Sequence, residues 1–250
     1  MKIKCFIFSW KGQYENALKL EKQLSPYVDT LVINSDDDNK PDHWINIGND
    51  CYFSDQFRKA LSLFDDAEYD FFWHVQADAS YDDWESILNS AKESYEKYHW
   101  GVYAPNVNDT YYISERTDMF DLEGNLRVVA DTDNTCWIVH KDIISDMKSE
   151  LILMETNQLG WGWDLLICAF SHLRRKYVIR DYNYEIKHPA GTGYKKDQAE
   201  IEMAEMFQKC NDLLKSVIYD MKMDHKALNV LYNEETKKDS IFVYDTNAGM

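Results

Sequence analysis

Apolar residues recur along this chain in short runs, separated by stretches of helical spacing. Ile3 to Ser9 is a run of strand type that Trp10-Lys11-Gly12 breaks. Ala17, Leu18, Leu20 and Leu24 then recur near helical spacing up to Pro26, and Thr30 to Ile33 is a second buried run. A strand, a helix and a strand within about 35 residues make a βαβ unit with parallel strands and a right-handed crossover. Phe57, Ala60, Leu61 and Phe64 predict the next helix, with Ser54 as its cap, and it leads into a central strand around Phe71 to Val75. Trp84, Ile87, Leu88 and Ala91 predict another helix, and Trp100 to Ala104 returns as a strand. The order β-α-β-α-β-α-β predicts an α/β sandwich.

Asn106 to Thr135 is polar and aromatic-rich, with a turn signal at Glu123-Gly124-Asn125, and predicts short strands and an active-site loop. Cys136 to His140 reads as a further strand, preceded by the polar groups of Asp131-Thr132-Asp133-Asn134-Thr135. Ile143, Ile144 and Met147 open a helix; Leu165 to Leu173 is another, and Lys176 to Arg180 a strand. From Gln198 to about Lys222 the apolar positions Ile201, Ala204, Phe207, Leu213, Leu214, Val217 and Ile218 predict one long helix, and the polar tail past Glu234 is expected to be loose. With no internal repeat and no linker, residues 1–195 read as one domain and 196–250 as its C-terminal helical extension.

Charge narrows the partners. Against 27 basic residues stand 44 acidic ones, and the net charge of −17 repels nucleic acid and anionic membranes. The cysteines Cys5, Cys51, Cys136, Cys168 and Cys210 are scattered without CxxC spacing and read as reduced thiols. The first apolar run is too short for a signal-peptide core and no later one reaches the length of a membrane span, so a cytoplasmic location is expected.

The candidate chemistry sits at strand ends. Asp78 closes the aromatic run Phe71-Phe72-Trp73-His74-Val75-Gln76 between the small residues Ala77 and Ala79. In open α/β sheets ligands bind at the carboxyl edge, and a carboxylate there suits a hard divalent cation completed by substrate phosphates. The alternative is a strand-ending Asp that caps the next helix. Asp36, in the polar cluster after the second strand, is placed to accept hydrogen bonds from a base or ribose, or else belongs to a solvated loop. No GxGxxG follows the first strand, which argues against a dinucleotide fold. In Gly160-Trp161-Gly162-Trp163-Asp164 two tryptophans alternate with glycines before an acid, which offers flat faces to a sugar ring, or plugs a core. His188 stands at a strand end before a small-residue loop with Gly191 and Gly193, as a ligand or a structural imidazole; no Gly-Lys-Ser/Thr follows, so the loop is no phosphate loop.

The βαβ start with its polar cluster, the acid at the end of a central strand and Trp161-Gly162-x-Asp164 with the later His188 resemble the GT-A class of nucleotide-sugar glycosyltransferases. The similarity is greatest to families with a Trp-Gly-Gly-Glu motif and a metal-binding histidine, the β-1,4-galactosyltransferases among them, and it spans residues 1–195. The resemblance implies a GT-A-like Rossmann-type sandwich with a mostly parallel central sheet. It implies Mn2+ or Mg2+ on Asp78 and His188 between the phosphates of a nucleoside-diphosphate sugar, a UDP-sugar first of all. Gln76, Ala77 and Asp36 fall to the donor, Trp161, Gly162 and Trp163 to an acceptor glycan or other hydroxyl-bearing molecule, and Asp164 to the catalytic base, with inversion at the anomeric carbon. Three positions depart from the pattern: Gln76 stands where the family has the first Asp, Trp163 where it has a second glycine, and Leu165 where an Asp is common. Gln76 suggests a second reading, a degenerate member that binds nucleotide sugar or glycan without turnover. A third, transfer to a modified base in phage-type DNA, is disfavoured by the charge of −17.

Overall fold

The computed structural model describes residues 1–189, 195–230 and 232. Gly191, Gly193 and the tail past Glu234 lie outside the described residues. The chain forms a GT-A-like Rossmann-type α/β sandwich around one nine-stranded sheet.

The first half runs β1 (Ile3–Ser9), α1 (Tyr14–Leu24), β2 (Asp29–Asn34), β3 (Ile45–Asn46), α2 (Phe53–Leu63), β4 (Phe71–Gln76), α3 (Trp84–Tyr98) and β5 (Val102–Val107). It continues with α4 (Ser114–Thr117), β6 (Asp118–Asp121), β7 (Leu126–Val129), β8 (Cys136–His140), α5 (Lys141–Ser149), a 3-10 turn (Leu151–Met154), α6 (Trp163–Leu173) and β9 (Val178–Ile186). The helices α7 (Lys196–Lys209), α8 (Asp212–Met223) and α9 (His225–Val230) follow. The sheet order is β3-β2-β1-β4-β8-β5-β9-β7-β6. Seven strands run in one direction; β8 and β7 run against them, β8 antiparallel to both β4 and β5.

The central strands are apolar on both sides because helices cover both sides. On one face Phe6, Phe8, Phe72 and Trp137 meet Phe57 and Leu61 of α2, Ile143 and Ile144 of α5 and the whole inner side of α6. On the other Cys5, Ile7, Trp73 and Val75 meet Leu20 of α1 and Trp84, Ile87 and Leu88 of α3. The alternation at β1 and β4 thus divides one apolar run between two cores.

Two expectations are corrected. Tyr52, not Ser54, occupies the N-cap of α2: its amide donates to Asp55 Oδ2 at 3.0 Å, while Ser54 is buried and its hydroxyl accepts the Trp163 indole N–H at 2.9 Å. The long C-terminal helix is two helices, because the Asn211 side chain accepts the Leu214 amide at 2.9 Å and starts a new N-cap. Cys210 at the break is itself buried, so the apolar rhythm runs through it unchanged. The Glu123-Gly124-Asn125 turn joins β6 to β7, with Gly124 at φ +68°. No described helix is long and apolar enough to cross a membrane.

Candidate functional site

β1, β2 and β4 end side by side at Ser9, Asn34 and Gln76, and because β8 runs the other way its amino end joins the same edge. Past β4 the chain stays tied to its neighbours: the Gln76 amide donates to Thr135 O and the Ala77 amide to Phe8 O, each at 2.9 Å. Asp78 follows, well before α3 begins at Trp84. The cap of α3 is Asp83, which accepts the Ser86 amide at 3.2 Å, so Asp78 has no capping task.

A two-way bridge then joins the turn after Asp78 to the end of β9. Ser80 N–H donates to Lys187 O at 2.8 Å and Lys187 N–H to Ser80 O at 3.0 Å. This pairing brings together two residues far apart in sequence: His188 Nε2 lies 3.4 Å from Asp78 Oδ1. The His188 amide is held by Asn108 Oδ1 at 2.7 Å. Burial disfavours the imidazolium, but Asp78 opposite it and Asp133 beyond outweigh burial and raise the His188 pKa. Asp78 Oδ1 is buried and accepts no hydrogen bond. Beside it Asn16, Lys19, Leu20 and Gln23 of α1 line a recess of about 130 Å³ with Asp78, Ala79 and Ser80.

A carboxylate oxygen and an imidazole nitrogen this close suit adjacent positions of one octahedral cation, where ligands at about 2.1 Å stand roughly 3 Å apart. Asp78 Oδ1, buried without a hydrogen bond, is the atom such an ion would satisfy. Among the described residues no third His, Cys, Asp or Glu joins the pair as a metal-holding group, so water or phosphate oxygens would complete the shell.

The donor-side residues divide. Asp36 is buried, its Oδ1 accepting the Asp38 amide at 2.9 Å and its Oδ2 the Asn39 amide side chain at 2.8 Å. The Asn39 hydrogen bond holds the Asp36 carboxyl below the usual carboxylate range. It braces its own loop first, and each oxygen keeps a further lone pair for a ligand. Gln76 Nε2 donates to Asn134 Oδ1 at 3.3 Å and so ties β4 to the 131–135 loop. Ala77 is corrected: its methyl is fully buried in the core against α1 and α3 and cannot touch a donor.

Across the 131–135 loop stands the second centre. Asp164 is in the first turn of α6, as the spacing predicts. Its Oδ1 accepts the Leu165 amide at 2.8 Å and its Oδ2 the Tyr112 hydroxyl. The helix dipole alone would favour the charged form. Burial is stronger, and with Asp133 and Asp131 nearby it pushes the Asp164 carboxyl up to about 7 despite the two hydrogen bonds. Asp131 is likewise raised by burial, to about 6, and its Oδ1 has no hydrogen bond. Asp133 accepts from Thr110 Oγ1 at 2.7 Å and from the Thr135 amide at 2.8 Å. Asp133 links the two centres: through Thr135, whose amide it accepts and whose carbonyl accepts the Gln76 amide, it reaches the end of β4, and through Thr110, which accepts the Tyr112 amide, it reaches the partner of Asp164.

The Gly-Trp motif is mostly scaffold. Trp163 is fully buried against Phe57, with its indole on Ser54, so it cannot stack an acceptor. Gly162 is also corrected: at φ +88° a Cβ there would come within 2.9 Å of Met203, Met206 and Phe207, so the glycine exists to let α7 seat on the turn. Trp161 is half-buried and remains at the surface of the motif. Gly162→Ala is expected to lower stability by about 1–2 kcal/mol from its left-handed backbone alone, with the contact to α7 adding to it, read as a drop of a few degrees in thermal denaturation; an unchanged melting temperature would deny both the backbone strain and the close packing.

Sequence reasoning missed Tyr112 and Arg180. The Arg180 guanidinium is buried and donates to Tyr112 O at 2.5 Å, Thr117 Oγ1 at 3.0 Å, Tyr182 Oη at 3.2 Å and Asp131 O at 3.0 Å. An arginine closing an apolar run was the available signal.

No protein-family model and no curated protein matches the sequence. Solved structures do match the fold. S. aureus TarS aligns over 97% of this chain and 46% of its own, at 11% identity and TM-score 0.57. S. aureus TarS 1–349 aligns over 97% of this chain and 75% of its own, at 12% identity and TM-score 0.52. CMP:2-keto-3-deoxy-manno-octonic acid synthetase complexed with CTP aligns over 84% of this chain and 100% of its own, at 10% identity and TM-score 0.47. This chain thus spans under half the length of the longer TarS structure.

Proposed function

We propose that the protein is a metal-dependent glycosyltransferase that moves a sugar from a nucleoside-diphosphate donor, a UDP-sugar first of all, to an acceptor hydroxyl, with inversion. The observation that carries this reading is the Asp78–His188 pair at the end of β4, joined through the hydrogen bonds of Thr135, Asp133, Thr110 and Tyr112 to the buried Asp164. GT-A-like architecture and the likeness to TarS agree with it at the level of fold.

Asp78 and His188 would hold Mn2+ or Mg2+, whose positive charge offsets that of the departing diphosphate. Asp36 and the neighbouring strand ends would take the nucleoside, and Trp161 would stack the acceptor, a glycan or other hydroxyl compound. Asp164, ionised, accepts the proton of the acceptor hydroxyl as its oxygen attacks the anomeric carbon. The carbon–oxygen bond to the diphosphate breaks with its electron pair on the diphosphate, and attack from the opposite side inverts the centre. A carboxyl with a pKa near 7 is well matched to that task, because it is both available and basic at neutral pH.

Thermal denaturation with nucleotide sugars, in manganese and in chelator, tests the reading. At 100 times its dissociation constant a ligand adds about 2.7 kcal/mol of apparent stability. A shift with metal that chelator abolishes is the expected result. An equal shift in chelator removes the cation from the site, and no shift with any nucleotide sugar removes the donor.

A further inference from the structure

We infer that Tyr112 is the positioning residue of the base: its hydroxyl, donated to Asp164 Oδ2, fixes the carboxylate's orientation and holds it in readiness for the acceptor's proton. The inference rests on the reading of Asp164 as base and goes beyond it, since Tyr112 itself touches neither donor nor acceptor in this role.

Three observations carry it. The first is direction. The two oxygens of Asp164 are each engaged by a different element, Oδ1 by the backbone at Leu165 and Oδ2 by the loop after β5, which leaves the carboxylate no free rotation. Each oxygen accepts one hydrogen bond in this set and has a second lone pair for a substrate hydroxyl.

The second is that Tyr112 is itself held. Arg180 of β9 donates to the Tyr112 carbonyl at 2.5 Å, and the same guanidinium grips Thr117 and the Asp131 carbonyl. The Tyr112 amide is held as well, donating to Thr110 Oγ1 at 3.2 Å, while the Thr110 hydroxyl donates in turn to Asp133. A buried arginine that spends its donors on carbonyls and hydroxyls is a brace, not a surface ion pair.

The third is chemistry. Burial, with Asp164 and Asp131 close by, holds the phenol protonated, so Tyr112 can only donate to the carboxylate and thereby favours its ionised form. The groups that bear on Asp164 are Tyr112 from the loop after β5 and Asp131 and Asp133 from the loop before β8. Arg180, Lys222 and Arg116 act on Asp131 behind them. Within this acidic surround the Tyr112 hydroxyl opposes the repulsion of Asp131 and Asp133.

Tyr112→Phe keeps the ring and removes the donor. In protein labelled with 13C at the aspartate carboxyls, with the Asp164 signal assigned by its loss in Asp164→Asn, the titration midpoint near 7 is expected to move to higher pH in Tyr112→Phe. The acid limb of kcat/KM should move with it, giving about a tenfold loss at neutral pH, the worth of one hydrogen bond to a charged group. The rate should recover towards the wild-type plateau at pH 9, with donor KM unchanged. An unmoved midpoint with a lowered melting temperature would make Tyr112 a packing residue and overturn the inference. A moved midpoint in a protein that transfers no sugar would keep the positioning contact and overturn the transferase reading instead.

Discussion

Asp164→Asn is expected to cut turnover by about two orders of magnitude or more, the usual worth of general-base assistance, with donor affinity nearly unchanged. The amide keeps the size of the side chain and part of its hydrogen bonding but cannot take a proton. The wild-type rate should climb as pH rises through 7, because the burial-raised carboxyl must ionise to act. Stability should run the other way. A carboxyl that titrates near 3.9 in the unfolded chain and near 7 in the folded one binds more protons when folded between those values. Folding stability therefore falls as pH rises from about 4 to 7, and the asparagine variant escapes that loss. It should melt at a higher temperature than wild type at pH 8 while being nearly inactive. Near-wild-type turnover, or a product that retains the donor's configuration, would reduce Asp164 to an acceptor-positioning residue.

The second large effect concerns the cation. Asp78→Asn and His188→Ala should each abolish most of the metal-dependent part of nucleoside-diphosphate binding, measured by calorimetry with manganese and with chelator. Two adjacent phosphates beside Asp78 repel its carboxylate unless a cation lies between them, so in Asp78→Asn the metal-free affinity should hold or rise slightly while the gain from manganese is lost. His188→Ala should leave the melting temperature of the metal-free protein close to wild type, since the ring pairs with Asp78 at 3.4 Å and is not packed in the core. A large drop in melting temperature with unchanged metal-dependent affinity would return His188 to a structural role.

The strands and most helices were legible because alternation and helical spacing are local, and burial on both sheet faces left long apolar runs at β1 and β4. The meeting of Asp78 and His188 has a related origin: each follows the end of a strand's apolar run, and those ends share an edge, whereas Asp164 opens the apolar helix α6 and its Tyr112 partner could not be read from spacing. Trp163 and Gly162 misled because an aromatic or a glycine has the same appearance in sequence whether it faces a ligand or a neighbouring helix; only α7, packed over the turn, distinguishes the two. Tyr112 was hidden among the aromatic residues of the 106–135 segment, since its task depends on Arg180, a partner on β9.

The bridge between Ser80 and Lys187 has a consequence for how the protein is made. β9 can dock only between β5 and β7, after nearly the whole sheet has been synthesised, and pairings of such long sequence separation carry a heavy loop-closure cost. The pair Asp78–His188 comes into being with that last insertion. Under the proposed reading a nascent chain would expose Asp78 without its imidazole until β9 arrives, and an ion held by both would slow the loss of a finished sheet without hastening its formation.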